Sequence, residues 1–335
     1  MTEITTIDYH TGGEPFRIVT SGAPVLEGRT VPERRRWAAA NLDEVRQLLV
    51  NEPRGHADMY GGFVTPPDDT GADLGVVFFH NEGYSTACGH GTIALVTWAI
   101  DTGRIAMSPD ALEVAVTVDV PSGRLACTAR LDGEGRVDAV RFRNVPSFVL
   151  ARDVAVATSR GPLSLDIAFG GAFYGSLDVN TLGLHVEPRA LPELIALQRE
   201  LRPAIEAAFD IVHPDEPELA GIYGVIFWEP VDDAPLTQRN VTVFADGEVD
   251  RSPCGSGTSA RLAILHERGA IGVGEALHHR SIVDSAFEAR VVALGQTVGG
   301  RPTVITEVEG AAYRTGQHSF TLDDRDPLGH GFLLR

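Results

Sequence analysis

Apolar and polar positions along the chain alternate with two different periods. Ile4–Tyr9, Phe16–Thr20, Leu74–Phe79, Leu112–Val118, Leu125–Leu131 and Val137–Phe142 are short β-type runs bounded by Gly, Pro and Asp clusters, and they predict strands. In the second half, Leu163–Phe169, Ile222–Trp228, Asn240–Ala245, Phe287–Leu294 and Thr303–Glu307 do the same. Between these runs the period changes. Trp37, Leu42, Val45, Leu48 and Leu49 fall near helical spacing, and predict a helix from Pro32 to about Asn51. A second amphipathic helix is expected from Leu191 to about Ile211. Strands with few helices in both halves predict a mixed α/β (α+β) architecture. No low-complexity linker separates the halves, and the Asn144–Pro146 segment is the best boundary.

Two segments break this pattern in the same way. Residues 88–105 read CGHGTIALVTWAIDTGRI and residues 254–271 read CGSGTSARLAILHERGAI. Aligned without gaps, both begin Cys-Gly-x-Gly-Thr-x-Ala, run for about three helical turns and reach a glycine, Gly103 or Gly269, suited to a helix C-cap. One Cys-led helix per half suggests a duplicated domain with a pseudo-twofold relation.

Composition narrows the class. The 335 residues, 43% of them hydrophobic and 22% charged, suit a soluble globular chain of about two domains. The net charge of −18 argues against nucleic-acid and anionic membrane partners, though not against a small zwitterionic substrate. Three cysteines, Cys88, Cys127 and Cys254, cannot build a disulfide framework and suit a reducing compartment. The N-terminal residues show no signal-peptide pattern, and no apolar run approaches the ~20 residues of a membrane span, so a cytoplasmic location is expected.

The repeated element carries candidate chemistry. A cysteine at a helix N-terminus sits where the macrodipole and free N–H groups favour negative charge, which lowers a thiol pKa. The adjoining glycines expose N–H groups able to hold a carboxylate. The bland alternative is two buried, inert thiols, but the recurrence of one glycine context weighs against it. Gly89–Ala94 and Gly255–Ala260 also fit a relaxed dinucleotide pattern, yet Ser252-Pro253-Cys254 interrupts any strand leading into the second loop, and no acidic residue ends a following strand at the required distance. A single Cys–His nucleophile, with His10, His56 or His90 as base, leaves the duplication unexplained. Neither cysteine has a partner at metal-ligand spacing, so no metal is expected, and His278 and His279 beside Arg280 suit a solvated surface. Two thiols on opposite faces of one carbon can remove and return a proton without a cofactor. Asp250 is then a counter-ion for a substrate nitrogen and His90 a hydrogen-bond partner. Cys127, Trp37 and Trp98 suit the core, the Gly-Gly of His10–Pro15 suits a turn between strands, and His56, Asp58 and Tyr60 suit either a pocket wall or a tied loop.

The chain resembles the proline racemase family over nearly its whole length. The resemblance rests on His10-Thr11-Gly12-Gly13-Glu14-Pro15, the Arg54–Gly61 segment, Asn81–Gly91 around the first cysteine, Phe169–Tyr174, and Val249–Thr258 around the second. It implies a diaminopimelate-epimerase-like fold, two pseudo-symmetric domains each with a curved sheet around a central helix and an active site at their interface. The domains implied are 1–146 and 147–310, with residues from about 310 to 335 returning to the first. It also implies Cys88 and Cys254 as the catalytic pair, facing each other across one pocket. Gly89, His90, Gly255 and Ser256 would hold the substrate and Asp250 its ring nitrogen. No metal or other cofactor is implied, the substrates are proline or hydroxyprolines, and a homodimer is a plausible assembly.

Inside the family the signals divide. Asn81–Thr86, Gly170–Tyr174 and the ending Asp326–Leu334 look most like trans-3-hydroxy-L-proline dehydratases of the eukaryotic type. Those enzymes typically carry Thr at the position of Cys254, whereas Cys there is typical of racemases and 4-hydroxyproline 2-epimerases. Dehydration needs no second thiol, so the cysteine pair favours racemisation or epimerisation, with dehydration as the alternative.

Overall fold

The computed structural model describes residues 3–231 and 236–334. The first part of the chain forms β1 (Glu3–Thr11), β2 (Glu14–Ser21), α1 (Val31–Asn41), α2 (Asp43–Val50), β3 (Tyr60–Thr65), β4 (Leu74–His80), α3 (Gly89–Asp101), β5 (Glu113–Val120), β6 (Gly123–Leu131) and β7 (Val137–Arg143). There follow β8 (Phe148–Thr158), β9 (Gly161–Phe169), β10 (Phe173–Asp178), α4 (Leu191–Ala208), β11 (Ile222–Val231), β12 (Thr237–Phe244), β13 (Glu248–Asp250), α5 (Gly255–Glu267), β14 (Ala276–Ser281), β15 (Ala286–Leu294), β16 (Val304–Gly310) and β17 (Ala312–Thr321). Two compact units result: residues 1–142 with 311–335, and residues 143–310.

In the first unit, β1 pairs antiparallel with β2 on one side and β17 on the other, and β2 continues through parallel β3 to antiparallel β4. The β1–β2 connection is a two-residue turn at Gly12 and Gly13, with φ of 60° and 91°, a conformation that glycine adopts without a Cβ clash. Helix α3 packs against β1, β2, β3, β6 and β17, and every residue from Gly89 to Ile100 is buried. A helix apolar or small on all sides has no solvent face to offer, so the strands enclose it.

The helix expected from Pro32 to Asn51 is two helices. Thr30 caps α1 through a reciprocal capping box with Glu33, and Leu42 (φ −120°, ψ 18°) ends it. Asp43 starts α2 and binds Arg46, whose guanidinium turns inward to the carbonyls of His80 and Asn81. The break lets one segment serve two directions.

The second unit repeats the plan. Parallel β10–β11, antiparallel β11–β12 and parallel β12–β14 run through its sheet, and α5, buried from Gly255 to Leu265, packs against β8, β9, β10, β15 and β16. Amphipathic α4 covers the outside of the sheet, burying Leu194, Leu197, Leu201 and Ile205 against Val241 and Val243 of β12 among others. Helices α3 and α5 both stop at the expected glycines, Gly103 (φ 68°) and Gly269 (φ 70°). Among the described residues no helix is long and apolar enough to cross a membrane.

Candidate active site

Cys88 is the N-cap of α3, extended at φ −153°, and only 6% exposed. Its sulfur accepts the Gly91 N–H at 3.2 Å, one of the donors that a helix start leaves unpaired. Gly91 must be glycine, because a Cβ there would lie 2.6 Å from the Cys88 sulfur and 2.5 Å from the Phe16 ring. The Thr92 hydroxyl donates back to the Cys88 carbonyl at 2.8 Å, fixing the cap. His90 lies under the thiol, both ring nitrogens 3.5 Å from sulfur. Phe16 and Tyr60 meet the imidazole edge-on, and burial pushes its pKa down to about 3 against a weaker opposing hydrogen bond to the Pro15 carbonyl. His90 is therefore neutral at physiological pH and cannot act as a cationic partner.

Cys254 caps α5 differently. It too is 6% exposed, but its φ of +63° and ψ of 105° lie outside the regions an L-residue prefers, a strain of order 1–3 kcal/mol characteristic of functional positions. Ser252 holds this corner: its hydroxyl accepts the Cys254 N–H at 3.1 Å and donates to Asp250 Oδ1 at 2.7 Å, while its own N–H reaches the same oxygen at 2.8 Å. Burial first, then the nearby Asp250 carboxylate, push the Cys254 thiol up to about 12, against smaller opposing contributions from the Gly257 N–H and the Thr242 and Tyr174 hydroxyls. The lowered pKa expected for a helix-capping thiol is thus reversed here, because the helix N-terminus contributes less than the loss of water and a carboxylate neighbour. Asp250 itself is lifted to about 6, chiefly by burial.

Ser256 lies beside the second sulfur at 4.0 Å and shares a 2.7 Å hydrogen bond with the Tyr174 hydroxyl, which is 3.8 Å from the same sulfur. Gly257 repeats the role of Gly91, with a Cβ there 3.0 Å from the sulfur. The first unit therefore brings together Cys88, Gly89 and His90, and the second Asp250, Cys254, Gly255 and Ser256. Tyr174 and Thr242 beside Cys254, and Phe16 beside His90, were not singled out by role in the sequence, whereas Tyr60, read there as pocket wall or tied loop, lies against His90. Their signal was available only in part: Tyr174 closes the Phe169–Tyr174 motif, and Thr242 is the third polar residue in an alternating Gln238, Asn240, Thr242 series.

Other expectations resolve simply. Cys127 is core, its thiol raised to about 12 by burial, and Trp98 is buried in α3. The His56–Tyr60 loop is tied down by Asn81, which bonds the Met59 N–H and the Val50 and His56 carbonyls. His279 corrects its surface assignment: it is fully buried, with its pKa pushed down to about 3. The alternation of β14 places it on the inner face while His278 stays partly exposed.

The family profile described as proline racemase matches residues 6–333. The chain belongs to the proline racemase family. A trans-3-hydroxy-L-proline dehydratase of Burkholderia cenocepacia is 48% identical over 99% of this chain and 98% of its own length. A 3-hydroxyproline 2-epimerase of Burkholderia multivorans has the same identity and coverage. Among solved structures, a hydroxyproline epimerase from Agrobacterium vitis with bound trans-4-hydroxy-L-proline superposes with a TM-score of 0.91 at 34% identity, covering 99% of this chain and 96% of that one. A Bacillus anthracis protein of the phenazine-biosynthesis PhzF family, 11% identical with a TM-score of 0.59 over 96% of this chain and all of that one, shares the fold alone. The architecture is thus the mixed α/β, diaminopimelate-epimerase-like one shared by proline racemase family enzymes.

Proposed function

We propose that this enzyme inverts the α-carbon of proline or a hydroxyproline without a cofactor, using Cys88 and Cys254 as paired acid and base. One observation carries the reading: each unit presents a nearly buried cysteine at the N-cap of its enclosed helix, within one repeated glycine loop. In one direction Cys88, as thiolate, takes the α-proton, and the Gly91 N–H supports its charge. Cys254, held protonated by burial and by Asp250, donates a proton to the opposite face of the carbanion. In the reverse direction the roles exchange. The N–H groups of the first helical turn after each cysteine suit the substrate carboxylate as its charge grows toward an enediolate. Asp250 suits the cationic ring nitrogen, whose charge would favour the ionised carboxylate. His90, neutral, serves as a hydrogen-bonding wall. The 2-epimerase from B. multivorans and the ligand-bound epimerase from A. vitis support a hydroxyproline substrate.

A second reading is favoured by the motif framework and by the dehydratase names among the relatives. In it Cys88 removes the α-proton of trans-3-hydroxy-L-proline, the β-hydroxyl leaves as water, and the resulting enamine rearranges to a cyclic imine. Incubation with L-proline, trans-4-hydroxy-L-proline and trans-3-hydroxy-L-proline in deuterium oxide tests both readings. Inversion accompanied by α-deuterium is expected. Cyclic imine formation with no inversion of any isomer would replace the first reading by the second.

A further inference from the structure

A polar seam runs along one side of α5, where a hydrophobic interface would be expected. Cys254, Thr258 and Arg261, at helical positions i, i+4 and i+7, share a face of the helix. Opposite them the inner face of β12 carries Thr242, Asn240 and Gln238, and β14 adds His279, the register neighbour of Gln238. All seven of these residues are no more than 6% exposed. Thr242 lies against the Cys254 sulfur, Thr258 bonds His279 Nδ1 at 2.8 Å, and Arg261 Nε donates to Gln238 Oε1 at 2.9 Å. The far end lies under the half-buried indole of Trp228, whose ring centre is 3.6 Å from the Arg261 guanidinium carbon.

Two atoms in this seam have no hydrogen-bond partner among the described residues: Asn240 Oδ1 and His279 Nε2. The Thr258 hydroxyl has one proton and lies 3.1 Å from the Pro253 carbonyl and 2.8 Å from His279 Nδ1, so both bonds form together only with Nδ1 as the donor in the second. In that arrangement the neutral imidazole leaves Nε2 a bare acceptor. Asn240 spends its amide on the Arg280 carbonyl, leaving its oxygen bare as well. Buried acceptors of this kind cost free energy unless a donor reaches them. The Arg261 charge disfavours a metal cation there, whereas water supplies donors and accepts in return.

We propose that the seam holds internal water in a chain from Cys254 past Thr242, Asn240 and His279 to the surface beside Trp228, and that this chain exchanges the Cys254 proton with solvent. The inference rests on the two-thiol reading. After Cys254 has given its proton to the substrate, the water nearest the thiolate protonates it and is reprotonated by the next, and the deficit passes to bulk solvent. The Cys254 thiol is thereby restored from behind the substrate, and the starting state is complete once Cys88 releases to solvent the α-proton it took up. Thr242, Asn240 and His279 are positioning residues, since they touch the thiol or its water and not the substrate.

Two measurements on the whole enzyme test this without turnover. The first is a high-resolution crystal structure, expected to show ordered water within hydrogen-bond distance of Asn240 Oδ1 and His279 Nε2. A dry seam would overturn the proposal. The second is the conversion of the Cys254 S–H infrared band to S–D in deuterium oxide, the band being assigned by its loss in Cys254→Ser. Asn240→Leu, and independently the smaller change Thr242→Val, should slow that conversion about tenfold, the rate equivalent of one lost hydrogen bond. Unchanged exchange in either folded variant would show that the thiol exchanges from the substrate side and overturn the idea. An enzyme that inverts no proline isomer yet exchanges this thiol slowly in the variants would discard the proposed function and leave the hydrated seam standing.

Discussion

At the residue scale, the same amino acid in the same motif is set in two different environments. Cys88 has a backbone donor and a neutral imidazole beside it; Cys254 has a carboxylate behind it and a strained backbone beneath it. Cys88→Ser should lose about two to four orders of magnitude in turnover, because a serine hydroxyl is a far weaker base than a thiolate. Near-normal turnover would remove Cys88 from the mechanism. Asp250→Asn should let Cys254 react with iodoacetamide at lower pH than in wild type, since the carboxylate helps hold the thiol protonated; an unmoved alkylation profile would contradict that coupling. The carboxyl also links folding to pH. Its folded pKa, about 6, lies above its unfolded value, so its contribution to stability is full below about pH 4 and is lost as pH rises through 6. Urea unfolding from pH 4 to 7 should show Asp250→Asn gaining on wild type across that window, by a few kcal/mol at most. The rise of the Cys254 thiol was hidden in the sequence, because burial and a carboxylate neighbour, not motif identity, set it.

At the scale of elements, the two Cys-led helices were legible because their Cys-Gly-x-Gly-Thr starts, terminal glycines and recurrence agree. The second glycine of each loop is the tightest constraint. Gly91→Ala drives a methyl into both the Cys88 sulfur and Phe16, whereas Gly257→Ala meets the Cys254 sulfur less closely. The first should cost about 1–3 kcal/mol by urea denaturation and most of the turnover, the second less of each. Equal effects would mean that the thiols are not held by these first turns. Several strands escaped the pattern for identifiable reasons. β3 opens Tyr-Gly-Gly and reads as a turn, yet Gly61 and Gly62 are there because Phe79 and Arg17, and Phe16 and Val76, approach too closely for a Cβ. β17 is exposed along most of its length and lacks alternation, and β14 reads as polar because its inward histidine belongs to the seam along α5. The single helix expected before β3 failed because Asp43 is a better helix start than a mid-helix residue, and Arg46 has carbonyls to reach.

At the scale of the whole molecule, one plan is executed twice, with a Cys-led helix in each unit. Relatives equally similar to this chain are named as a dehydratase and as an epimerase, so overall identity does not choose between the reactions. On the two-thiol proposal the residue at 254 does, because inversion needs a second proton donor and dehydration does not. The most direct test follows wild type and Cys254→Thr side by side, measuring inversion of proline and both hydroxyprolines and water loss from trans-3-hydroxy-L-proline. The two-thiol account predicts inversion by wild type and its abolition in Cys254→Thr, with Cys88 still exchanging the α-proton of one enantiomer with deuterium. Water loss by a wild type that inverts nothing, retained or raised in Cys254→Thr, would contradict it.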